Sequence, residues 1–81
     1  MKTATRSLSE IASEIYRDWK PVSPYAKPYL KAMQTLDSIN DNYLMDSGRS
    51  IVAYFLSNAS SWKGDKAREI KRELNAMLKA R

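Results

Sequence analysis

The chain contains no cysteine and no histidine. That removes disulfides, thiolate and imidazole metal sites, cysteine nucleophiles and every histidine-based triad, because the atoms they need are missing. Long apolar runs are absent too. The longest, "IVAYFL" at 51–56, falls far short of the roughly twenty residues a membrane span requires. Two basic residues open the N-terminus, but no apolar stretch of a secretory leader follows them. We therefore expect a cytoplasmic protein with no membrane partner. Glycine occurs only twice and proline three times, and the prolines are confined to "KPVSPYAKP" at 20–28.

What is present is apolar and aromatic content, 43% and 10% of the residues, which is too much for a disordered chain. Eighty-one residues make one domain, near the lower limit at which a core holds a fold without staples. A single helical domain over 1–81 is expected, with 1–6 flexible and some fraying after Leu78.

Helical periodicity runs through the chain. "SLSE" at 7–10 is a capping box, and Leu8, Ile11, Ala12, Ile15 and Trp19 follow as one apolar stripe. Pro21 ends that helix. Ser23 followed by Pro24 reads as an N-cap and first-turn pair. A second helix is expected from about 28 to 38, broken or kinked near Pro28, with Tyr29, Met33, Leu36 and Ile39 inward. The polar stretch "NDNYLMDSG" holds Tyr43, Leu44 and Met45, which we expect to plug the core as a loop. Asp46 or Ser47 caps a third helix, with Gly48 unremarkable in its first turn. Ile51, Val52, Phe55, Leu56 and Ala59 give that helix a wide buried face, extended by Tyr54, and make it the central one. Gly64 suits the left-handed position that closes this helix, and Asp65 the cap of a fourth. Ala67, Ile70, Leu74, Met77 and Leu78 form the last inward stripe. Nothing alternates with period two. The expected fold is all-α: a small bundle of about four helices, with no sheet.

Charge is unevenly placed. Of the net +5, residues 63–81 hold seven basic against three acidic groups, a share of +4. Such an asymmetry points to an acidic partner, nucleic acid or protein. At one hundred degrees per residue, Arg68, Arg72, Asn75 and Lys79 share one strip of helix four, with Lys71 on its margin. Arg68 and Arg72 are like charges at i,i+4, a pair that destabilises an isolated helix by a few tenths of a kcal/mol. Two things could offset that. One is a phosphate backbone, with Arg and Asn also being the residue types that read guanine and adenine edges. The other is internal: Glu10, Glu14 and Asp18 make an acidic strip on helix one that could face the basic strip across a seam.

"SSWKGDKAREIKRE" at 60–73 also raises a helix-turn-helix. Its segment "NASSWKG" is longer and more irregular than the three- or four-residue turn of that motif, and its glycine adjoins the second helix. Trp62, with Lys63 beside it, either covers the end of the core or stacks on a base or a partner side chain. Five tyrosines are many for so short a chain and would suit a protein-binding surface. Asp37, Asp41 and Asp46 share a polar region but lack the spacing and the glutamate of an EF-hand, and serve better as caps and turn residues.

The stretch "DSGRSIVAYFLSNASSWKGDKAREIKRELNAM" at 46–77, together with "PYLKAM" at 28–33, resembles a group of short bacterial and bacteriophage helical proteins of unknown function. The resemblance implies a small accessory protein, prophage-borne, and assigns no residue a role. The expectation is a non-catalytic protein-binding or accessory regulatory module without cofactor or metal. Its candidate contact residues are Trp62, Lys63, Arg68, Lys71, Arg72, Asn75 and Lys79. The alternative is a nucleic-acid-binding domain using the same basic face. A wide apolar third helix also leaves a homodimer open.

Overall fold

A computed structural model describes residues 6–79. The capping box at the start of the chain forms as the sequence specifies: the Ser7 hydroxyl accepts from the Glu10 amide, and the Ser7 amide donates to Oε1 of Glu10, both at 3.1 Å. Helix α1 then spans Leu8–Asp18. Two amides of its first turn find distant partners, Leu8 donating to the Asp37 carbonyl and Ser9 to the Leu36 carbonyl. These bonds fix where the chain returns after the second helix. Leu8, Ile11, Ala12, Ile15 and Trp19 are all buried, so the whole predicted stripe faces the core.

Helix α2 is shorter than expected, Lys27–Met33. Ser23 opens a separate turn, its carbonyl accepting from the amides of Ala26 and Lys27, and Pro28 stands in the first turn of α2. The helix stops early because competitors take a carbonyl of its last turn and the amides that would extend it. The Thr35 hydroxyl donates to the Ala32 carbonyl, and the amides of Asp37 and Ser38 both donate to one Asp41 carboxylate oxygen at 3.1 Å. With this shorter helix, Leu30, Ala32, Met33 and Leu36 are buried, while Tyr29 and Ile39 are half-buried.

The expectation of no sheet is overturned. Strands β1 (Asn42–Tyr43) and β2 (Asp46–Ser47) form a two-stranded antiparallel sheet, pairing Asn42 with Ser47 and Tyr43 with Asp46. Two-residue strands are too short to show alternation, so periodicity could not reveal them. The hairpin is closed instead by geometry at its base, where the Gly48 amide donates to the Asp41 carbonyl at 2.6 Å. The core plug is overturned with it. Only Tyr43 packs against the core; Leu44 and Met45 are 84% and 97% exposed at the tip.

Helix α3, Gly48–Ser57, is capped by Ser47, whose hydroxyl accepts from the Ser50 amide. Gly48 proves essential rather than incidental. A Cβ there would lie 2.9 Å from the Ser38 carbonyl oxygen and 3.0 Å from that of Asp41, and backbone cannot swing aside. Ile51, Val52 and Phe55 are buried, Leu56 half-buried and Tyr54 half exposed against Tyr29. α3 packs against α2, α4 and β2, the central place its apolar face predicts.

Residues 58–64 lead to α4, Asp65–Lys79. Gly64, at φ +114°, stands just before α4 rather than closing α3, and its carbonyl accepts from the Arg68 amide. It therefore holds the cap position expected of Asp65. Ala67, Ile70 and Leu74 are buried, with Met77 and Leu78 packed against the core margin. Among the described residues, no helix is long and apolar enough to cross a membrane.

Candidate functional site

The predicted basic strip lies on α4 opposite that buried stripe. Arg68, Arg72, Asn75 and Lys79 are exposed, as is Lys63 in the preceding loop. Arg68 pairs with Asp65 one turn earlier, both side chains lying well out in solvent. The Asn75 amide donates to the Lys71 carbonyl of its own helix. Lys71 sits differently. Its ammonium donates to the Trp62 carbonyl at 2.7 Å and lies 5.7 Å from the Trp62 ring centroid. Burial, and then the neighbouring Lys63, push its pKa below the usual lysine range.

Trp62 itself is 2% exposed. Its indole stacks on that of Trp19, centroids 5.6 Å apart and planes 12° from parallel, and meets Phe55 edge-on. Its ring nitrogen donates to the Asp18 carboxylate at 2.9 Å. Of the candidate contact residues, it alone presents its ring to the interior.

The internal-pairing expectation resolves unexpectedly. α1 and α4 do pack side by side, and the acids of α1 are engaged, but with other partners. Glu10 closes the capping box and Asp18 accepts from Trp62. Glu14 pairs with Arg6 at 2.6 Å and with Lys66 at 3.0 Å, contacts that hold its carboxyl below the usual carboxylate range. Arg6 also forks onto Glu73, Nε and Nη2 each donating to one carboxylate oxygen. Arg6 was expected in a flexible leader and instead clamps the α1–α4 seam; residues 1–5 lie outside the described residues. Among the described residues, no ion pair joins Arg68, Arg72 or Lys79 to an α1 acid.

Arg6, Lys66 and Glu73 are thus the residues that sequence reasoning missed. Lys66 had a usable signal, since it precedes buried Ala67 and lies one turn before Ile70, at the edge of the inward stripe. Arg6 had none, because it precedes the first helix and no periodicity reaches it.

Beside the seam runs a shallow groove lined by Ile70 and Ala76, by the cations Arg6, Lys66 and Arg72, and by as many carboxylates, Glu14, Glu69 and Glu73. Asp37, Asp41 and Asp46 do not converge, and among the described residues no three acids are grouped to hold a metal ion. No known family model matches this chain, and neither does any curated protein or solved structure.

Proposed function

We propose that the protein is a cytoplasmic, non-catalytic binding module that receives an acidic protein surface on the outer face of α4. Arg68, Arg72 and Lys79 carry the charge, Asn75 adds hydrogen bonding, and Lys63 and Lys71 extend the field at one margin. The observation that supports this reading is the fate of the α1 acids. Glu10, Glu14 and Asp18 are each engaged elsewhere, so among the described residues the strip keeps Asp65 as its one paired countercharge. A protein suits the strip better than a phosphate lattice does. Asp65 and Glu69 stand exposed along its edge and interrupt the positive field, which suits a surface of discrete acids and donors better than a continuous row of phosphates. With Trp62 turned inward, base stacking also lacks its aromatic.

One observation favours the second reading, a nucleic acid. Arg72 and Asn75 are exposed on one strip and are the residue types that read guanine and adenine edges. Two measurements decide between them. A photo-crosslinking amino acid at Asn75 should yield a product that protease destroys and nuclease spares, and Arg68→Ala/Arg72→Ala should remove it. Anisotropy of labelled duplex and single-stranded DNA at about 50 and 200 mM salt tests the alternative. An affinity that drops on the order of 10³-fold across that range, as several phosphate contacts require, would replace the first reading with the second.

A further inference from the structure

Three tyrosines belong to the side of the molecule where α2 lies against α3. The rings of Tyr29 and Tyr54 are 5.5 Å apart and tilted by 41°, so Tyr29 braces a ring that stays half exposed. Tyr25 is 77% exposed. The Lys27 amide donates to the Ser23 carbonyl and Ala26 holds a helical conformation, so helical geometry reaches back through Tyr25 and sets it one turn before Tyr29. Among the described residues, none of the three hydroxyls has a hydrogen-bond partner. Folding gains little from rings left in water without a polar anchor.

The charge of this side has one sign. Residues 19–36 contain Lys20, Lys27 and Lys31 and no acid, and residues 48–64 contain Arg49 and Lys63 and no acid. Lys20, Lys27 and Lys31 are exposed, and among the described residues none of them enters an ion pair. The acids of α1, which also packs on α2, are taken up elsewhere: Glu10 in its capping box, Glu14 in the seam, Asp18 on the Trp62 ring nitrogen. Asp37, Asp41 and Asp46 follow α2 and precede α3, at the end away from Tyr25 and Tyr54. The α4 strip, by contrast, is interrupted by Asp65 and Glu69.

Exposed rings beside unpaired lysines, with no carboxylate between them, complement a chain that alternates flat bases with phosphates. A duplex keeps its bases stacked inside, so only a single strand can offer them to the rings. An anionic bilayer would meet the same lysines, but it takes up aliphatic side chains as well. The large exposed ones, Leu44 and Met45, stand in the acidic hairpin instead. We propose that the α2–α3 side binds single-stranded nucleic acid, with bases stacked on Tyr25 and Tyr54 and phosphates on Lys20, Lys27 and Lys31. Helical spacing sets Tyr25 and Tyr29 on one flank of α2 and Lys27 and Lys31 across its exposed face, with Pro28 between. A helix is about 10 Å across, so a strand of a few nucleotides crossing α2 reaches both. Binding is indifferent to sequence, because every base has a π-face. It uses none of the α4 residues and stands apart from the reading of that face.

Anisotropy of labelled oligonucleotides of about 12 nucleotides, within the size of a single-strand site, tests it. Protein is raised to about 100 µM at about 50 mM salt, the weak end of non-specific affinities. Oligoadenylate and oligouridylate should bind alike, and a duplex of the same length more weakly. Tyr25→Ala should weaken binding about tenfold, as the loss of one stacked base requires, and Tyr25→Phe should restore it. Lys27→Ala/Lys31→Ala should weaken binding and flatten its salt dependence. In the parent, three phosphate contacts to a single strand give a fall of about 20-fold between about 50 and 200 mM salt, far shallower than a duplex held by α4 would show. Circular dichroism should show every variant folded, since each altered side chain is exposed. No single-strand binding at about 100 µM overturns the proposal, and so does binding that Tyr25→Ala leaves intact. Vesicles of anionic phospholipid that bind where oligonucleotides do not overturn it too, in favour of a membrane surface. If Arg68→Ala/Arg72→Ala abolishes binding while Tyr25→Ala does not, the strand lies on α4, and the acidic-protein reading of that face falls with the proposal.

Discussion

The α1–α4 seam and the β1–β2 hairpin treat their side chains in opposite ways. In the seam each polar group is answered: Arg6 holds Glu14 and Glu73, Lys66 holds Glu14, and Trp62 donates to Asp18 while stacking on Trp19. At the hairpin a leucine accepts left-handed backbone and two apolar side chains face water. The seam can be explained entirely by folding, since its contacts bury apolar area and satisfy the groups that area displaces. The hairpin cannot. Its base is tightly specified while its tip stands in water, so the two regions separate what the chain needs to fold from what it has beyond that.

The most severe way to break the seam is Trp62→Ala. It removes a buried indole from the Trp19–Phe55 cluster and leaves Asp18 without its donor, at a cost of about 3–5 kcal/mol. That is most of the stability expected of so small a core, and urea titration should find the variant largely unfolded at low denaturant. A loss below about 1 kcal/mol would make the stack no more important than a surface ion pair. At the base of the hairpin, Gly48→Ala should cost about 1–3 kcal/mol, because its Cβ would press on two backbone carbonyls rather than on a movable side chain. A neutral outcome there would mean that the base is looser than the tip.

The smallest effect concerns the seam's charges. Glu14→Gln should cost no more than about 1 kcal/mol at neutral pH, since Arg6 and Lys66 are both well solvated. The sign with pH is fixed by the lowered carboxyl. The unfolded chain takes up the proton first, so the ion pairs stabilise above the ordinary value of 4.5 and lose that effect as pH falls through the lowered folded value. The gap between parent and variant should therefore be constant near neutrality and begin to close below about pH 4.5 in acid titrations followed by circular dichroism.

Much of the seam was legible in sequence and little of the hairpin was. Ser7 and Glu10 announced their capping box because two residues three positions apart determine it locally. The stripes of α1 and α4 emerged because burial imposes a 3.6-residue period over several turns. α2 was misjudged in length because the competition that ends it, between helix and the Asp41 carboxylate, is settled by residues eight positions past Met33. The hairpin escaped because its turn carries leucine where glycine or asparagine would have signalled it, and its strands are too short to alternate. The α4 strip was placed correctly as a face. What lies opposite it was not, because helix-wheel reasoning puts charges on flanks but does not say which neighbouring flank they meet, and it takes no account of Arg6 outside any helix.

The stacked indoles also make the molecule its own optical gauge. Two rings 5.6 Å apart and nearly parallel lie close enough for their electronic transitions to couple, which sets the indole absorption band of the folded chain apart from that of separate indoles. Because one ring belongs to the end of α1 and the other to the loop before α4, that band follows closure of these two segments. Tryptophan emission from this protein accordingly reports on its interior and not on what touches α4, so a label placed on the outer face is the right instrument for ligands, and the unlabelled chain the right one for its own unfolding.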